Sequence, residues 1–145
     1  MAIEVEISRA DAETLEPALH ELLRRALVVA ADARAIQEAE LSLTLLDDVA
    51  IGQMNDRFLG HPGPTDVIAF ALYEAGELPV GDIYVGFQQA GRQAAENGVP
   101  LEEELARLAV HGTLHVLGED HPQGDERLES AMWALQERIV AGLFE

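Results

Sequence analysis

The chemistry-bearing residues of this chain crowd into one stretch, His111-Gly-Thr-Leu-His115-Val-Leu-Gly118-Glu-Asp-His121. Three of the chain's five histidines fall in it. The run from Pro100 to Leu117 has helical periodicity. His111 and His115, four residues apart, therefore share one face, one turn above the other. Two imidazoles at that spacing can grip one metal ion. Gly118 tolerates the left-handed backbone that ends a helix, which lets the chain turn back and bring His121 to the same ion. Three neutral imidazoles suit Zn²⁺ at roughly 2.0–2.1 Å and leave a fourth position for water. Zinc held in this way acidifies water toward neutral pH, which is the chemistry of a hydrolase. A lone histidine is more often a core or surface residue than a ligand; three at this spacing favour the metal.

The spacing also matches the long metalloprotease signature H-E-x-x-H-x-x-G-x-x-H at every histidine and glycine, but Gly112 stands where that signature has its catalytic glutamate. A glycine cannot deprotonate water. A peptidase would need another base, and Glu119 is the neighbour that could serve. Glycine inside a helix costs about 1 kcal/mol relative to alanine, and a closely packed neighbour is the usual reason to find one.

Positioning the histidines requires a scaffold, and the hydrophobic pattern supplies it. Residues 2–8 alternate Ile3, Val5 and Ile7 with acids and predict a strand. Asp11 is the expected cap of a helix reaching about Ala33, with Leu15, Leu19, Leu23 and Leu27 at helical period. Residues 40–46 alternate again. A short helix follows Asp47 or Asp48 to about Phe58, with Ile51, Met54 and Phe58 turned inward. Residues 59–66, with two prolines and two glycines, form a loop. Residues 67–72 are continuously apolar, which predicts a central strand covered on both faces. A turn at 76–79 leads into residues 81–87, a strand that pairs with it as a hairpin. Helices are expected at 88–97, at 100–117 around the histidines, and at 124–143 with Leu128, Met132, Leu135, Ile139 and Leu143 inward. The order predicts an α+β (mixed) domain, a small mixed β-sheet of about four strands covered by about five helices, with a zincin-like three-His metal site at the end of a helix. Residues 1–145 are expected to form this one domain.

Composition narrows the function. The absence of cysteine rules out disulfides and thiolate ligands. No apolar run approaches the ~18 residues that span a bilayer, and the first strand does not resemble an export signal. A cytoplasmic location is expected. The net charge is −18 and every basic residue is arginine. Such a field repels nucleic acid at long range, so an RNA substrate would need a local positive or metal-centred cleft. Most of the acids fall in predicted helices, where solubility alone explains them.

The motif His111-Gly-x-Leu-His-x-Leu-Gly-x-Asp-His121, preceded by Pro64-Thr-Asp-Val-Ile-Ala-Phe70 and Gly81-Asp-Ile83, resembles the YbeY family of metal-dependent endoribonucleases along nearly the whole chain. The resemblance implies one zinc held by His111, His115 and His121. It implies single-strand-specific cleavage in maturation of ribosomal RNA, notably the 3′ end of 16S rRNA, and a part in ribosome quality control. Expected partners are rRNA and the small ribosomal subunit or its basic proteins, with no membrane and no DNA. Two departures mark this chain. Leu59 and His61 stand where the family has an arginine and a lysine, and Glu119 stands where it usually has tyrosine. Arg57, two positions earlier but on another helix face, is the candidate replacement. Arg57, His61 and Thr65 are the candidate substrate contacts, and Arg57 and Glu119 the candidate catalytic groups. Asp82 is a candidate to accept the free ring N–H of a ligand histidine and so orient it. Two other readings remain open: a ribosome-assembly binding module with a structural zinc, and a metallohydrolase of peptides or small amides.

Overall fold

The computed structural model describes residues 2–11, 14–118 and 126–145, the side chains of 126–129 excepted. Four strands form one sheet: β1 (Ile3–Arg9), β2 (Ala39–Leu46), β3 (Val67–Ala71) and β4 (Val80–Gly86), in the order β1-β2-β4-β3. β1 and β2 run parallel, β2 and β4 run parallel, and β3 returns antiparallel to β4 as the expected hairpin. The helices are α1 (Pro17–Ala33), α2 (Asp48–Leu59), α3 (Phe87–Asn97), α4 (Leu101–Val116) and α5 (Glu126–Leu143). The fold is α+β, with a four-stranded mixed sheet and five helices among the described residues.

Period-two alternation decides which side chains face the helices. Leu41, Leu43, Leu45, Ile83 and Val85 are buried on the inner sheet face against Leu23 and Leu27 of α1, Leu105 and Leu114 of α4, and Ile139 of α5. Each fully buried leucine or isoleucine contributes roughly 1.5–3 kcal/mol relative to exposure. α4 crosses this face in contact with α1, α3, α5, β3 and β4. The opposite face is shared. α2 covers the β3–β4 half, burying Leu46, Ile51 and Ile68. The β1–β2 half stays open, and Glu4, Glu6, Glu40 and Asp82 line a hollow of about 570 Å³ there.

Three expectations change. β3 is an edge strand, not a central one. Its continuous apolarity reflects cover on both faces, Ile68 toward α2 and Val67 and Ala69 toward the main core, and says nothing of its place in the sheet. α1 begins at Pro17, whose fixed φ and missing N–H suit a first helical position. Asp11 instead pairs with Arg9 at 2.7 Å. Phe58 does not turn into the core: it is 56% exposed and meets Phe70 edge-on, ring centroids 5.6 Å apart. The short helix itself is as expected, with the Asp47 carboxylate accepting from the Ala50 N–H at 2.8 Å. The expected inward placement of Leu128 and the helix start at Gly124 lie outside the described residues and side chains.

Candidate functional site

α4 carries the histidines because both its ends are fixed. Glu102, Glu103 and Glu104 fill the first turn, where the helix dipole favours negative charge. At the other end the Tyr73 hydroxyl donates to the Val116 carbonyl at 2.6 Å. Gly118 then takes φ 96, the left-handed turn expected of it. Gly112 lies against β4: a Cβ built there would stand 2.7 Å from Ile83 Cγ2 and 3.3 Å from Val67 Cγ2. Close packing thus accounts for the glycine. It also means that no side chain fits where the protease signature has its glutamate.

His111 and His115 are half-buried on the open face of α4. Their Nε2 atoms stand 3.1 Å apart, with ring centroids at 4.6 Å and planes at 65°. Two nitrogens on one tetrahedral ion at roughly 2.0–2.1 Å lie about 3.3 Å apart, so the pair fits two positions of a zinc site. Among the described residues no third His, Cys, Asp or Glu joins them. His121, the expected third ligand, and Glu119, the candidate base, both lie outside the described residues.

The Nδ1 of His111 bonds Gln136 Oε1 of α5 at 2.7 Å. Gln136 is 5% exposed, and its Nε2 donates to Glu137 Oε2 at 3.2 Å. Arg107 grips Glu137 through Nε at 2.8 Å and Nη2 at 3.0 Å. That hydrogen-bonded guanidinium holds the Glu137 carboxyl below the usual carboxylate range. The sequence offered Asp82 for the acceptor role. Asp82 instead takes a hydrogen bond from Ser42 at 2.7 Å on the outer sheet face, because β4 alternates and presents Ile83, not Asp82, to α4. Gln136 was missed because its contact spans 25 residues and one amide on a long helix carries no sequence signal.

The histidine pair opens into a cleft of about 660 Å³ between α4 and β3, with Leu59, Ala69, Tyr73 and Val116 on its walls. No carboxylate lines this cleft among the described residues, although the chain carries a net charge of −18. Arg57, His61 and Thr65, the expected substrate contacts, do not line the cleft, whereas Leu59, which stands where the family has its arginine, reaches the rim. The Arg57 guanidinium lies over the exposed Phe58 ring, 5.3 Å from its centroid. Asn55, buried on α2, donates to the Gly63 carbonyl at 3.0 Å and ties the following loop down. Asp66 serves the backbone, accepting the Val67 N–H at 2.7 Å. No helix among the described residues is long and apolar enough to cross a membrane.

The family model described as Endoribonuclease YbeY matches residues 4–143. A protein named Endoribonuclease YbeY from Moorella thermoacetica is 44% identical, over 83% of this chain and 84% of its own. One of the same name from Geobacillus kaustophilus is 41% identical over the same shares. A Thermotoga maritima protein of known solution structure superposes with a TM-score of 0.69 at 28% identity, covering 97% of this chain and 89% of its own.

Proposed function

Because the chain belongs to the YbeY endoribonuclease family, we propose that it is a zinc-dependent, single-strand-specific endoribonuclease of the cytoplasm. It acts in maturation of ribosomal RNA, at the 3′ end of 16S rRNA, and in ribosome quality control. The observation that carries this reading is the imidazole pair, Nε2 to Nε2 at 3.1 Å, at a cleft whose described lining holds no carboxylate. On so acidic a chain, a described lining without carboxylates gives a phosphodiester a surface to approach.

His111, His115 and His121 are the proposed ligands. Zinc, when bound, would supply Lewis acidity and lower the pKa of a bound water toward ~7. The remaining work falls to the chain. β3 and α4 form the walls that orient the substrate backbone. Arg57, braced on Phe58, offsets phosphate charge beside the cleft, with His61 and Thr65 in the adjoining loop as further substrate contacts. Glu119 is a candidate base. The test pairs metal analysis with cleavage of matched single- and double-stranded RNA. Zinc near one per chain, with cleavage of the single strand only, is expected. Equal cutting of both strands would remove the strand specificity.

Arg57 and Leu59 give a second test. Arg57→Ala should weaken RNA binding for all sequences alike and flatten its salt dependence by about 0.7 in log–log slope, the loss of one phosphate contact on a single strand. Leu59→Arg, which places a cation on the cleft rim, should steepen it by about the same amount. Fluorescence anisotropy across a salt series reads both. Unchanged slopes would exclude Arg57 as a phosphate contact.

The open sheet face favours a further element of this reading. Glu4, Glu6, Glu40 and Asp82 around one hollow suit basic proteins of the small ribosomal subunit. Were this binding the whole function, with zinc only structural, metal-loaded protein would bind small subunits and cut no RNA.

A further inference from the structure

Resting on the zinc reading above, we propose that Gln136 is a positioning residue that fixes the tautomer of His111, through a polar relay anchored on Arg107. The relay has one direction only. Arg107 lies one turn before His111 on α4 and donates twice to Glu137, at 2.8 and 3.0 Å. The Glu137 carboxylate has no hydrogen to give, so the Gln136 group facing it at 3.2 Å is the amide nitrogen. That orientation turns the amide oxygen to His111 Nδ1, 2.7 Å away. An oxygen acceptor requires Nδ1 to carry the ring hydrogen. The lone pair of His111 is then on Nε2, the atom facing His115. A neutral imidazole that ligates through Nε2 needs this tautomer, and outer-shell partners of this kind fix it at metal sites. Gln136 is 5% exposed, so an amide without its two partners would incur a desolvation cost there. The relay removes that cost and orients the ligand with the same two bonds.

A purely structural Gln136 and a tautomer-setting one differ in what they do to the ring. The ¹⁵N spectrum of His111 in zinc-free wild type should show hydrogen on Nδ1. In Gln136→Met, of similar length but without an acceptor, the ring should shift toward the Nε2–H form. Zinc affinity, measured by competition with a chromogenic chelator, should fall roughly 10–100-fold. A wild-type ring that carries its hydrogen on Nε2 overturns the proposal, as does a folded Gln136→Met protein that binds zinc as wild type does. Should Gln136→Met fail to fold, the wild-type ring spectrum decides alone. A wild type with no zinc affinity would sink the metal reading itself, whereas the zinc-free spectrum judges the relay separately.

Discussion

Zinc added to His115→Ala should raise neither its melting temperature nor its rate of RNA cleavage, whereas wild type should gain both. His115 is half-buried on the open face of α4, so its truncation should leave the zinc-free fold within about 0.5 kcal/mol of wild type. The difference appears only when metal is present. Zinc at 100 times its dissociation constant stabilises a native state by about 2.7 kcal/mol, which is roughly 5–10 °C of melting temperature for a domain of this size. Loss of an outer-shell partner costs roughly 10–100-fold in metal affinity; loss of a ligand should cost more. One of two nitrogens that stand 3.1 Å apart would be gone, leaving His111 to hold the described half of the site alone. Differential scanning calorimetry with and without zinc, beside metal analysis and a cleavage assay, reads all three quantities. Stoichiometric zinc in purified His115→Ala would show that His115 is not a ligand.

What the sequence made legible follows from the range of the interactions involved. The alternation of Ile3, Val5 and Ile7 with acids, and of Leu41, Leu43 and Leu45 with Ser42 and Thr44, reports a sheet with one face on a core, because each side chain's face depends only on its neighbours. The i, i+4 spacing of His111 and His115 is equally local, so it placed both rings in one cleft. Lateral order in the sheet is not local. β3 reads as central because it is covered above and below, yet among the described residues it pairs with β4 alone. Phe58 was expected inward from helical period alone, but it lies exposed at the edge of the α2–sheet contact, against Phe70 of β3. Competition between two local signals moved the start of α1: Asp11 can cap a helix, but Pro17 fixes where this one begins. The Gln136 relay joins α4 to α5 across 25 residues and has no period to betray it.

Gly112→Glu, which would complete the protease signature in this chain, should yield an unfolded protein rather than a peptidase. Even a Cβ at this position would stand 2.7 Å from Ile83 Cγ2. Ile83 is fully buried on β4, so its methyl group cannot swing away as a surface side chain would. A glutamate adds a carboxylate to that contact, and an unpaired buried charge costs several kcal/mol beyond the overpacking. The sum rivals the roughly 5–15 kcal/mol by which domains are stable at all. Gly112→Ala isolates the steric part. Overpacking costs about 1–3 kcal/mol, and the better helix propensity of alanine returns about 1 kcal/mol of it. A net loss is therefore expected, visible as a lower urea midpoint with unchanged slope. In an Ile83→Ala background the opposing methyl is absent, and the same substitution should cost less or become stabilising, a coupling read from the double-mutant cycle. Additive costs in that cycle would show that Ile83 does not set the glycine requirement. A folded Gly112→Glu protein that hydrolyses casein with zinc and loses the activity to EDTA would reopen the peptidase reading.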